Sequence, residues 1–221
     1  MSFKSDLISA EETAAFLQSA VKVRQTAVRH LSNKRGTSFI VSFVRNLQNG
    51  IDQVVNAAVE TGVRLDCKAG CFYCCSARVE AIEPEVFRIA RELEARPDQE
   101  RSALINRLQT YVATPSDGTP WQQRMPCPFL VDDLCSIYAV RPGVCRKAHS
   151  LDVAKCAENA PEIPQSLNIV LGAEALLKGT SDAYREIGLH ASGHDLGQAV
   201  LIALSDSTVE SRWQRGEAVF E

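Results

Sequence analysis

Eight cysteines dominate the chemistry this sequence can do. Cys67, Cys71, Cys74 and Cys75 crowd into nine residues, and Cys127, Cys135, Cys145 and Cys156 form a second group about fifty residues later. Thiolates are soft donors that select zinc, copper(I) or iron-sulfur clusters. Four at such density in a reducing compartment point to a metal rather than to disulfides. The first group reads C-x3-C-x2-C-C, which differs from the C-x2-C knuckle of zinc fingers. On a helix these positions would share one face, whereas Gly70 argues for a turn after Cys67, with Cys74 and Cys75 opening the next segment. Two adjacent cysteines cannot always both face one ion, so one of Cys74 and Cys75 either serves a second metal or packs inward. In the second group, Cys127 and Cys135 flank Asp132-Asp133 and Cys145 follows Arg141-Pro142. Cys156 stands most alone. A buried free cysteine is also a small hydrophobe, but four in nine residues exceed what packing asks for. Zinc and iron both accept four thiolates. More than four sulfurs suit an iron-sulfur cluster with spare cysteines or two metal positions. Four thiolates around a bare divalent ion leave a charge of about −2, so Arg141, Arg146 and Lys147 are expected to hydrogen-bond the sulfurs from outside.

Other reactive side chains offer less. His149 lies four residues after Cys145 and reads as a surface residue or an outer partner of the centre. His190 and His194 have H-x3-H spacing, but Gly193 between them breaks the helix such a clamp needs. No HExxH, Walker or dinucleotide-binding glycine pattern occurs. Nucleophilic catalysis by Cys74 or Cys75 would need an activating neighbour, and both read first as ligands.

The elements that must position these thiols are helical. Ser9 and Glu12 form a capping-box pattern ahead of a predicted helix over 10–31. Ile40, Val44, Leu47, Ile51, Val54, Val55 and Ala58 step by three and four, and Gly62 stands where a left-handed C-cap is wanted. That helix delivers the chain to Cys67. Glu83-Pro84-Glu85 opens another helix, Pro97 interrupts it, and Leu104, Ile105, Leu108, Tyr111 and Val112 mark the next. Residues 114–120 read as a loop. The stretch from Pro126 to Cys156 is expected to be largely irregular. Pro164 should open a helix ending near Gly179, Ser181 should start another, and Leu196, Val200, Leu201 and Leu204 mark the last. No β-hairpin, βαβ unit or solenoid repeat stands out. The expected fold is mainly α, a helical scaffold around an irregular cysteine-rich metal-binding knot. It divides into an N-terminal helical segment (1–62), a cysteine core (63–157) and a C-terminal helical segment (158–221), all in one compact domain.

Composition agrees with an ordinary globular chain. It has 221 residues, 45% hydrophobic and 23% charged, with a net charge of −3. A chain of this length buries roughly 70% of its unfolded surface and needs no disulfides to fold. Basic residues are not interleaved with aromatics, so nucleic acid is not an expected partner. The densest basic stretch, Lys22, Arg24, Arg29, His30, Lys34 and Arg35, reads as the wet side of a helix. The amino terminus leads into Glu11-Glu12 rather than an apolar stretch, so a secretory signal is not expected, and no apolar run of about 18 residues could span a bilayer. The expected location is the cytoplasm.

The cysteine spacing also carries a family resemblance. Cys67-x3-Cys71-x2-Cys74-Cys75, Cys127-Pro128-Phe129-Leu130, Cys135-Ser136-Ile137-Tyr138 and Arg141-Pro142-Gly143-Val144-Cys145-Arg146 resemble the CxxCxxCC cysteine-cluster family over roughly residues 60–150. The first gap here holds three residues where that pattern has two. The resemblance implies that both groups belong to one zinc- or iron-chelating unit, with the metal ion or cluster as its partner. Some relatives are associated with flagellin lysine methylation, which implies the alternative of a metal- or cluster-dependent protein-modifying enzyme, methyltransferase-like or redox. A thiol-disulfide switch at Cys74-Cys75 is a third reading.

Overall fold

The computed structural model describes residues 8–33, 37–114 and 125–220. Helix α1 (Ala10–Asn33) starts as its sequence directs. Ser9 Oγ accepts the Glu12 N–H at 3.1 Å while the Glu12 carboxylate accepts the Ser9 N–H at 2.8 Å, so two orphan donors are satisfied reciprocally. Helices α2 (Thr37–Ser42) and α3 (Val44–Glu60) form nearly one rod. Phe43 keeps helical angles and donates to the Phe39 carbonyl, and Asn46 shortens the next bond to Phe43. Gly62, at φ +102°, ends the rod in the left-handed region where only glycine is unstrained.

A short strand β1 (Glu80–Ala81) precedes α4 (Glu83–Glu94), with Pro84 in the first turn, where its missing N–H costs nothing. Pro97 then separates α4 from α5 (Asp98–Ala113). Next come β2 (Leu130–Val131), β3 (Leu134–Cys135), α6 (Gly143–Lys147) and α7 (Val153–Ala157). The chain closes with α8 (Leu167–Glu186), β4 (His194–Asp195), α9 (Leu196–Ser205) and α10 (Val209–Gln214). The fold is mainly α with only short strands. Helix α1 lies along α8, α8 also packs on α3, and α9 is held between α4 and α5. Val86, Phe87, Ile89 and Leu93 of α4 meet Val200, Tyr184 and Trp213 in the main core. The polar ends of the two large aromatics are satisfied there. Trp213 Nε1 donates to the His190 carbonyl and the Tyr184 hydroxyl to that of Ile40, both at 2.8 Å. No described helix is long and apolar enough to cross a membrane.

Three expectations need correction. A β-hairpin is present: β2 and β3 pair antiparallel, Leu130 opposite Cys135 and Val131 opposite Leu134. Its two-residue turn is Asp132-Asp133, at φ +50° and +61°, and aspartate is among the few non-glycine residues that tolerate this region. Strands of two residues are too short to show alternation. Second, α8 opens at Leu167 and runs straight through Gly179 and Ser181 instead of ending between them. Gly179 is there because α1 passes close by: a Cβ would lie 2.5 Å from the Ala20 carbonyl oxygen and 2.6 Å from Val23 Cβ. Third, the chain does not finish with α9, since α10 follows and carries the buried Trp213. In the basic stretch, Lys22, Arg29 and His30 are exposed and Arg24 pairs with Glu186 at 3.3 Å. Lys34 and Arg35, and loop residues 115–120, lie outside the described residues.

Gly179→Ala separates helix propensity from packing. Alanine gains about 1 kcal/mol in a helix interior, but overpacking against an unyielding backbone oxygen costs about 1–3 kcal/mol. Denaturant unfolding is expected to show net destabilisation. A more stable variant would contradict the close approach of α1 and α8.

Candidate metal centre

The first cysteine group is stitched to the second by backbone hydrogen bonds. The Asp66 N–H donates to the Ser150 carbonyl at 3.0 Å, and the Asp66 carboxylate accepts the Val153 N–H at 3.1 Å. Between these bonds, the Ser150 N–H donates to Cys67 Sγ at 3.3 Å. A turn at Gly70 (φ +81°) follows, closed by the Cys71 N–H on the Lys68 carbonyl. Cys74 and Cys75 then occupy a 3-10 turn, Tyr73–Ser76, so the turn reading of this group holds and the single-helix reading does not. The Cys75 carbonyl accepts the Cys127 N–H at 2.7 Å, a direct tie between the groups.

Each remaining cysteine has its own support. The hairpin holds Cys135. Cys145 sits on α6, whose first residue, Gly143, donates its N–H to Glu85 Oε1 at 2.7 Å. Cys156 sits on α7, which is capped by Asp152 accepting the Ala154 N–H at 3.0 Å and packs on the Tyr73–Ser76 turn. Two electrostatic neighbourhoods result. Cys145 is within electrostatic reach of Cys127, Cys74 and Cys135, and Cys127 of Cys135 and Cys74. Cys67 is within electrostatic reach of Cys71, Cys74 and Cys156. Cys74 is common to both. None of the eight cysteines is in a disulfide, and among the described residues no group of three or more His, Cys, Asp or Glu side chains is drawn together tightly enough to enclose an ion.

The protons on these sulfurs are held firmly. A hydrogen bond with Cys75 raises the Cys74 thiol far above the ordinary range, and burial and the Cys75 charge add to it. Burial lifts Cys127 to about 11. Burial also raises Cys145, with repulsion from Cys127, Cys74 and Cys135 behind it. Cys67 and Cys135 shift up for the same first reason, although the Ser150 N–H lowers Cys67 somewhat. Crowded, half-desolvated thiols cannot ionise together without positive charge. A bound metal cation supplies that charge and deprotonates its thiols outright. The donor set therefore fits a soft cation or cluster.

Arg141 is a cation within electrostatic reach of these thiols, with Arg96 a lesser one at Cys135. It lowers both Cys74 and Cys135, its guanidinium lies 3.9 Å over the Tyr138 ring, and its Nε is buried with no hydrogen-bond partner. The expectation for Arg146 and Lys147 is corrected. Arg146 is spent on Asp52 at 2.5 Å and on the Ala139 and Arg141 carbonyls, and Lys147 on Glu174. Both point to carboxylates from α3 and α8 rather than to sulfur. His149 uses both ring nitrogens, Nδ1 on the Lys147 carbonyl at 2.7 Å and Nε2 on the Ser166 N–H at 2.8 Å, so it is a buried brace. His194 Nε2 bonds Glu83 Oε1 at 3.0 Å while the His190 ring is exposed, and the two form no clamp. Asp66, Glu85 and Ser150 are contributors that spacing did not reveal, because their partners lie 58 to 87 residues away.

The described residues thus form a mainly α protein whose eight cysteines lie on loops, short strands and short helical turns between its longer helices. Residues 66–163 match the CxxCxxCC family model, described as "Putative zinc- or iron-chelating domain". The matched segment contains all eight cysteines, and its description supports metal binding in general. No curated protein and no solved structure matches the chain.

Glu85 supplies a test of the support beneath Cys145. It is 1% exposed, and burial raises its carboxyl from 4.5 to about 7. The folded state thus holds this proton more tightly than the unfolded chain. Its stabilisation is complete below about pH 4.5 and lost as pH rises through about 7, roughly 3 kcal/mol in all. Urea unfolding of metal-free protein at pH 5 and pH 8 is expected to show this loss in the wild type and a much smaller one in Glu85→Gln. Equal pH dependence in both would contradict it.

Proposed function

We propose that this chain is a metal-binding protein in which thiolates from both cysteine groups close on zinc or on an iron-sulfur cluster. The carrying observation is that Cys74 is the common neighbour of Cys127, Cys135 and Cys145 on one side and of Cys67 on the other. Cys74, Cys127, Cys135 and Cys145 are the first four ligands in this reading. Cys67, Cys71, Cys75 and Cys156 complete a set of eight, enough for a cluster with spare sulfurs or for a second position. Zinc would supply a fixed tetrahedral tie between distant stretches of chain, and an iron-sulfur cluster would add one-electron redox chemistry.

The chain's own residues set the conditions for capture. Arg141 offsets part of the thiolate charge, the Ser150 N–H stabilises Cys67 as a thiolate, and Glu85 fixes α6 beneath Cys145. Ligand closure displaces the Cys74–Cys75 hydrogen bond and releases protons, so capture strengthens as pH rises. A reducing, cytoplasmic setting suits free thiols. Segments 1–62 and 158–221 serve as helical flanks of one domain around the 63–157 core.

Anaerobic purification followed by elemental analysis and a visible spectrum tests this reading. Stoichiometric zinc without colour, or iron with broad visible absorption, is expected. Protein that holds neither element ends it. Cys74→Ser and Cys145→Ser are each expected to weaken metal retention against a chelator by at least about tenfold. His149→Ala should leave the metal's spectrum and stoichiometry unchanged. Retention equal to wild type in both cysteine variants would overturn the assignment of these ligands.

A further inference from the structure

Helix α1 carries a second apolar face that the fold does not use. Its packed face, Ala20, Ala27 and Leu31, is buried, and Gly179 of α8 lies against Ala20 and Val23 on that side. Ala10, Ala14, Leu17 and Val21 step by four, three and four, so they form one line along the helix, about a third of a turn round from the packed face. All four are exposed, Leu17 by 48% and Val21 by 43%. Exposed hydrophobic residues scattered singly are normal. Two large ones a turn apart, extended by two alanines at the same spacing, make the seam by which helices pair.

The seam is its own complement when a second copy runs antiparallel to it. Centred midway between Ala14 and Leu17, that register sets Ala10 opposite the partner's Val21 and Ala14 opposite the partner's Leu17. Each layer then joins a small side chain to a large one, which fills the space between the helices. A parallel pair would set alanine against alanine and leave gaps. Charge selects the same direction. Glu11 and Lys22 are exposed on one flank of the seam, and among the described residues neither is in an ion pair, whereas Arg24 is paired with Glu186 at 3.3 Å. In the antiparallel register Glu11 comes within about 3 Å, along the axis, of the level of the partner's Lys22. Two-fold symmetry makes that pair twice. A parallel pair would bring Glu11 to its own copy.

We propose that α1 is a self-association surface on which two copies of this chain pair antiparallel through Ala10, Ala14, Leu17 and Val21. The contact is smaller than that of a permanent dimer, so association is reversible, and it is independent of the thiols.

Sedimentation equilibrium of the full chain in excess reductant, over a wide range of protein concentration, tests this. A reversible rise from monomer towards dimer mass is expected. Leu17→Asp, an exposed change compatible with the fold, is expected to weaken association at least about tenfold with helix content unchanged. At low salt, Glu11→Lys and Lys22→Glu should each weaken it, and the double variant should recover it. A chain that stays monomeric throughout, a dimer indifferent to Leu17→Asp, or a double variant no stronger than the singles overturns the proposal.

Discussion

Cys74 is where the electrostatic problem of this protein concentrates. Its thiol is hydrogen-bonded to Cys75, partly desolvated, and within reach of Cys67, Cys127, Cys135 and Cys145. Removing its proton puts a negative charge into a space already crowded with groups that carry negative charge when ionised. Among the described residues, Arg141 is a cation that favours its thiolate. Such a cluster is stable as neutral thiols, or as thiolates around a cation whose charge exceeds what one arginine supplies. Metal capture by this domain is therefore also a proton release.

The scaffold makes that choice sharp by fixing the chain on both sides of the thiols. The Cys127 N–H on the Cys75 carbonyl joins the groups at one end, and the Asp66–Ser150–Val153 bonds join them at the other. Beneath them, α6 is wedged against α3 and α8 so closely that a Cβ on Gly143 would lie 2.9 Å from both Ile51 and Leu177. Gln48 of α3, fully buried, donates to the Arg141 carbonyl and so holds the arginine's backbone. The Gln48, Glu85 and Arg146 contacts place three charged or polar anchors under one short helix. The placement of these thiols is then inherited from helices whose own stability comes from apolar burial elsewhere.

What could be read from the sequence was what local chemistry decides. Ser9 and Glu12 cap a helix wherever they stand three apart, Pro84 and Pro97 punctuate helices through their missing N–H, and Gly62 ends one through its φ. The cysteine pattern pointed to metal binding for the same reason, since soft-donor chemistry resides in residue type and density, and the family match supports metal binding in general. Features set by tertiary approach were not. Gly179 looks like a helix terminator until α1 is seen lying on it. Arg146 and Lys147 sit beside Cys145 in sequence, yet their partners Asp52 and Glu174 belong to other helices, 94 and 27 residues away. The hairpin at Asp132-Asp133 was visible as a turn and invisible as strands, because two residues a side give no periodicity.

The most direct measurement is X-ray absorption at the edge of the metal carried by purified protein. An all-sulfur first shell of about four atoms, near 2.3 Å for zinc, is expected, with one sulfur replaced in Cys127→Ser. A first shell of oxygen and nitrogen atoms, or one unchanged by Cys127→Ser, would contradict convergence of the two cysteine groups on a shared centre.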